Sequence, residues 1–318
     1  MRYSLISRFR GTLLGASLGG SLASGSRIQS QNYLDFGRMA VLGIQSLISL
    51  GRLDLDDWIA RQQQESLHLA ETDVISTNII LATVPVALFC HDNPIKLREN
   101  LLNVLKLWEY DPVVQDGTLA VGYAIALALT EKLDALTLIP QTISFLQETP
   151  TSIPKKLLRV QNLLEQGAGL ERAQAEFAGR EKLSNTIAMA FYCFLGTLED
   201  FRLAVLRATH NGDSKVQDST RLIAESTGAI TGALSGAHNS TAGIPLNWRV
   251  LLLQKDSPAS ELTSFSQMLK LADALVAVWS GLYYDIRLNP KELTDEGCAM
   301  STVAPLSVYA APRVIRSR

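Results

Sequence analysis

Cysteine and net charge are both scarce in this chain, and each scarcity removes a class of function. Three cysteines among 318 residues, Cys90, Cys193 and Cys298, are odd in number, far apart and set in mostly apolar segments. That excludes a disulfide framework and a CxxC zinc site, and it reads as small buried hydrophobes in a reducing, cytoplasmic compartment. A formal net charge of −2 leaves no electrostatic footprint for a nucleic-acid or membrane-surface partner. No uninterrupted apolar window approaches the roughly 20 residues that span a bilayer, and the best candidate, 118–129, is too short. Arg2, Arg8 and Arg10 before a run of small residues imitate a signal peptide, but Gly11, Gly15, Gly19 and Gly20 dilute that run below the density of a secretory apolar core. No two β-branched runs are joined by an Asn-Gly or Asp-Gly turn, so no sheet is expected.

What is present is helical punctuation on an ordinary core-forming composition, 47% apolar and 19% charged. Asn93-Pro94 and Asp111-Pro112 each place a capping side chain before a proline suited to a first helical position. Leu97, Leu101, Leu102, Leu105 and Trp108 then recur at three- and four-residue steps, followed by Leu119, Tyr123, Leu127 and Leu129. Met39, Leu42, Ser46 and Ile48 lead to Gly51, and Leu157 to Leu164 lead to Gly167, each glycine standing where a left-handed cap belongs. Further helices are expected over 184–195, 198–209, 221–237 and 261–284. The polar stretches 211–220 and 255–260 read as surface connections too short to part domains. The expectation is an all-α, compact multi-helix single domain over residues 1–305, with a loose tail at 306–318.

Two segments are rich in small residues. Gly11-Thr12-Leu13-Leu14-Gly15-Ala16-Ser17-Leu18-Gly19-Gly20 spaces its glycines four apart, which suits a thin helix approached closely by another backbone. It lacks the Lys-Ser or Lys-Thr and the preceding strand of a phosphate loop. The second runs from Ser226 through Gly228, Gly232 and Gly236 to Ala237, followed by His238-Asn239 and, later, Gly243-Ile244-Pro245-Leu246-Asn247-Trp248. Trp58, Trp108, Trp248 and Trp279 fall on or beside apolar helical faces and read as core aromatics. His68, His91, His210 and His238 sit in or at the ends of helices, where a cation suits the local dipole, and none has a partner at metal-ligand spacing. No Gly-x-Ser-x-Gly elbow or polar Cys-His pair offers a nucleophile.

The pairing of Arg8-Phe9-Arg10-Gly11-Thr12-Leu13-Leu14-Gly15 with Gly232-Ala233-Leu234-Ser235-Gly236-Ala237, then Ile244-Pro245 and Trp248, resembles the ADP-ribosylglycohydrolase family. Asp35-Phe36-Gly37-Arg38-Met39-Ala40 stands where that family has Thr-Asp-Asp-Thr-Gln-Met-Ala, and Val84-Pro85-Val86-Ala87-Leu88 is similar to its Ala-Pro-Val-Ala-Leu stretch. The resemblance runs over about residues 8–250. It implies an all-helical fold in which two magnesium ions in a cleft assist hydrolysis of an N- or O-glycosidic bond to ADP-ribose, held by the Thr-Asp-Asp motif and an Asp-x-Asp-Ser/Thr motif opening the late helix. Paired magnesium needs carboxylates to offset the repulsion of the two ions.

Carried over residue by residue, most of that ligand set is gone. Asp35 remains of the first motif, with Leu34 and Phe36 beside it. The late motif falls on Ile223-Ala224-Glu225-Ser226, leaving Glu225 and Ser226 as oxygen donors, while Asp213 and Asp218-Ser219-Thr220 read as caps. Gly20 replaces an aspartate, Ser76-Thr77-Asn78 stands at the Gly-Asn-Gly substrate loop, Ala82 replaces an arginine, and Trp108-Glu109 replaces Thr-His. The resemblance so amended implies a catalytically weak or inactive member that binds a ligand or partner: at most one magnesium ion on Asp35, Glu225 and Ser226, and an ADP-ribose-like small molecule against Asn78, or else a protein partner. The alternatives are a magnesium-dependent glycohydrolase working with this reduced set and a helical assembly subunit.

Overall fold

The computed structural model describes residues 3–23, 31–65, 73–108, 111–210, 218–254 and 265–281, with backbone alone at 31–36, 73–75, 218–220 and 251–254. His68, Asp213 and Cys298 lie outside these residues, as do the expected loop 255–260 and the tail 306–318. Among the described residues every regular element is helical. In chain order they are α1 (Leu5–Ala23), α2 (Gln31–Leu50), α3 (Leu55–Gln64), α4 (Asp73–Ala82), α5 (Val84–Phe89), α6 (Pro94–Leu105), α7 (Pro112–Leu129) and α8 (Leu138–Leu146). There follow α9 (Ile153–Glu165), α10 (Leu170–Glu176), α11 (Lys182–Leu195), α12 (Phe201–Thr209), α13 (Asp218–Asn239), α14 (Leu246–Gln254) and α15 (Phe265–Trp279).

The caps read from the sequence do the work expected of them. Asn93 Oδ1 accepts from the backbone N–H groups of Ile95 and Lys96, and Asp111 Oδ1 from those of Val113 and Val114, satisfying donors that a first helical turn leaves unpaired. Gly51 and Gly167 end α2 and α9 at φ of 64° and 60°, a conformation that costs a side chain and suits glycine. Two boundaries move. The helix expected from residue 198 begins at Phe201, because the Asp200 carboxylate accepts from the Leu203 N–H at 2.9 Å and sets the start there. Asp218-Ser219-Thr220, expected in a connection, already belong to α13. The apolar stretch 118–129 lies within α7, which starts at Pro112 as its Asp111 cap predicts. The 18 residues of α7 make it long and apolar enough to cross a membrane, the one such helix among the described residues, yet 78% of them are buried by other helices.

Of the arginines that imitate a signal peptide, Arg8 and Arg10 are bound into the fold, and Arg2 lies outside the described residues. Arg8 is buried, donates to the Ala128 carbonyl and pairs with Glu131 at 2.6 Å; Arg10 is paired with Asp273, its Nε 2.6 Å from Oδ1. The core has α7 at its centre, packed by α4, α5, α6, α8, α11 and α13, and includes the fully buried Trp58, whose edge meets Trp108 with ring centroids 6.1 Å apart. A smaller apolar cluster of Leu14, Leu18, Phe201, Val205, Ile244 and Trp248 lies on another side of α1.

The most extensive helix contact is between α1 and α13, which are far apart in the chain. It is antiparallel and bare: Gly11 meets Gly236, Gly15 meets Gly232 and Gly19 meets Gly228. A Cβ built on Gly15 would stand 2.1 Å from the Gly232 carbonyl oxygen, and one on Gly232 would stand 1.9 Å from that of Gly15. Only glycine allows such an approach, which brings Cα–H groups against carbonyls across the interface.

Candidate functional site

The glycine register fixes one end of the molecule. Four residues beyond the Gly19–Gly228 contact, the end of α1 lies level with Ala224 and Glu225 on α13, since the two helices run antiparallel. Helix α4, which carries Asn78, packs against both α13 and α2, and α2 carries Asp35. Helix α4 thus touches both of the helices that bear the other expected ligands. The side chains of Asp35 and Phe36 lie outside those described.

Glu225 is 4% exposed. A buried carboxylate needs a compensating partner, and Arg221, one turn earlier, donates from Nε to Glu225 Oε1 at 3.1 Å. Ser226 is half-buried. Because α13 already starts at Asp218, Glu225 and Ser226 lie about two turns inside a regular helix, not at its opening. Successive helical side chains diverge by about 100°, so these two do not face one another. Thr77 and Asn78 are both buried, at 4% and 7% exposure, and Ser76 is half-buried.

Positions where the resemblance implies site chemistry instead serve packing. Ala82 is fully buried in the main core, leaving no room for an arginine's length, and Trp108 packs its ring against Trp58. Gly20 is buried within α1. Among the described residues no three His, Cys, Asp or Glu side chains gather to hold one cation. Of the residues expected to hold magnesium, Glu225 has its carboxylate engaged by the Arg221 guanidinium, and Ser226 follows it on the same helix. Sequence reading missed Asp116, the other buried carboxylate among the described residues. It accepts from Thr149 Oγ1 at 2.6 Å and from Thr151 Oγ1 at 2.5 Å, and so pins the 149–151 turn to α7.

His91, expected to favour a helix end as a cation, is buried between the rings of Phe9 and Trp279, with centroids at 5.6 and 4.7 Å. Its Nδ1–H donates to the Leu88 carbonyl at 2.7 Å, and burial holds its pKa below the ordinary histidine value in spite of that bond and of Asp92. His238 lies in the last turn of α13, 3.3 Å from Glu199.

Comparison with known proteins follows the same lines. A family model described as ADP-ribosylglycohydrolase matches residues 1–284. A solved structure titled "ADP-ribosylglycohydrolase-related protein complex" superposes with a TM-score of 0.56 at 16% identity, covering 86% of this chain and 99% of that one. At that identity the likeness is one of fold. No curated protein matches the chain.

Proposed function

Because this chain belongs to the ADP-ribosylglycohydrolase family, we propose that it is a member which has kept the scaffold and given up paired-metal hydrolysis, and that it acts by binding an ADP-ribose-like ligand. One observation carries the reading: Glu225, the carboxylate left at the late family motif, is buried two turns inside α13 and neutralised by Arg221. A guanidinium there supplies the positive charge that a metal supplies elsewhere, without a metal's capacity to lower the pKa of water. Asn78 is the polar group for recognition, since an amide presents both a donor and an acceptor to a ribose or base edge. The buried, unpaired thiols of Cys90 and Cys193 accord with a reducing, cytoplasmic setting.

Calorimetric titration of the whole chain with ADP-ribose, with and without magnesium, tests this. Saturable binding of the same strength in both conditions supports the reading. Binding that requires magnesium, accompanied by release of ADP-ribose from an ADP-ribosylated substrate, overturns it in favour of a glycohydrolase with a reduced ligand set. No heat in either condition overturns the nucleotide ligand and leaves a protein partner.

A further inference from the structure

A concave site lies among α8, α9, α11 and α12 and shares no residue with the start of α13 or with α4. It has a volume of about 430 Å³, within the roughly 300–1,000 Å³ of ordinary small-molecule sites. Leu136, Ile139, Leu164 and Leu195 give it apolar walls. Arg207 enters from α12 with its guanidinium 5.1 Å from the ring centroid of Tyr192, a ring fixed in turn because its hydroxyl donates to the Ala168 carbonyl. Gly196 keeps the floor low: a Cβ there would stand 3.0 Å from the Tyr192 carbonyl oxygen and 3.5 Å from Arg207 Nη1.

Arg207 is unusual in being unanswered. Its Nε is buried without a hydrogen-bond partner, and no described residue forms an ion pair with it. Burying part of a guanidinium against an aromatic face without an anion is costly, and such an orphan calls for an explanation. The nearby Glu165 carboxylate forms no ion pair with it; its Oε1 accepts from Gln161 on its own helix at 2.9 Å. The helices α9 and α11 both end at this groove, with Glu165 and Leu195 on its wall, and their carbonyl ends add partial negative charge. One cation set against that background suits a single negative charge and disfavours a polyphosphate.

We infer that this groove binds a small amphipathic monocarboxylate, its carboxylate on Arg207 and its apolar body along Leu136, Ile139, Leu164 and Leu195. Octanoate is the probe, compared by calorimetry on the whole chain with 1-octanol, octylammonium and octyl phosphate. Octanoate should bind one per chain, at least roughly tenfold tighter than the alcohol or the amine, the worth of one charge-assisted hydrogen bond. Arg207→Gln should weaken octanoate by roughly tenfold and leave 1-octanol unchanged. Leu136→Glu sets a like charge at the mouth on a side chain that is 78% exposed, so folding is not at stake, and it too should weaken octanoate selectively. Octanoate binding no better than octanol, binding indifferent to both substitutions, or absence of heat with every probe overturns the site. Tighter binding of octyl phosphate overturns the single-charge assignment.

Discussion

Gly15→Ala puts the smallest possible obstacle into the interface that organises this fold. The added Cβ would sit 2.1 Å from the Gly232 carbonyl oxygen, where ordinary van der Waals contact starts at 3.4 Å, so α1 and α13 must part by more than about 1 Å or bend. The obstructing atoms are backbone, which has no rotamer to retreat into. Overpacking of a core costs about 1–3 kcal/mol, and the absence of side-chain relief puts this case at about 3 kcal/mol. Alanine's better helix propensity returns about 1 kcal/mol, leaving a net loss of about 2 kcal/mol. Thermal unfolding followed by circular dichroism should show a Tm lower by roughly 4 °C, with Gly179→Ala as control, since a Cβ there meets only Asn185 Nδ2 at 3.6 Å. Combining Gly15→Ala with Gly19→Ala should cost less than the two losses added together, because helices already forced apart accept the second methyl more easily. A Gly15→Ala protein that melts with the wild type, or a double variant that is fully additive, refutes the backbone-to-backbone account.

His91 predicts an acid-sensitive stability. Its folded pKa is depressed, so both states are neutral above about pH 6.5, whereas below it the unfolded chain takes up a proton that the folded chain resists. Stability should therefore be intact near neutral pH and fall as the pH drops below about 6.5, by at most about 1.4 kcal/mol per pH unit from this one group. Urea midpoints measured against pH should flatten over that range in His91→Gln, and an unaltered slope would show that other groups carry the effect. Cys193 has its thiol pushed up to about 12 by burial, and Cys90 is raised by the same cause, so iodoacetamide at neutral pH should label neither until the chain is unfolded. Mass spectrometry of digested native protein carrying label at either position would contradict the packing around them.

The helices were legible because their signals are local. Asn93-Pro94, Asp111-Pro112, Gly51 and Gly167 act within one turn of themselves, and the structure finds each at the predicted end. Asp200 acts just as locally, yet Leu198 continues the apolar spacing and draws the predicted start three residues early. The step-four glycines announced that some backbone would come close but not which one. Only the antiparallel register of α1 on α13 pairs Gly15 with Gly232. The length of α13 was not legible either, because the polar residues at its start look like a connection when read alone. Departures from the family motifs, Phe36 and Ala82 among them, can be read from a sequence, since an absent carboxylate or arginine is visible there. That Arg221 occupies the carboxylate that remains, and that Arg207 stands unanswered over Tyr192, depends on contacts between side chains, which no spacing rule supplies.

A scaffold that has given up paired-metal hydrolysis should no longer assemble a metal pair. Manganese substitutes for magnesium at oxygen sites and reports its own environment, so titration of the purified chain with manganese, followed by electron paramagnetic resonance, addresses the claim directly. No saturable uptake of two ions and no spin-coupled pair are expected, with Arg221→Ala the one change expected to raise manganese affinity at Glu225. Two equivalents of manganese bound per wild-type chain, with the broadened signal of neighbouring ions, would contradict it.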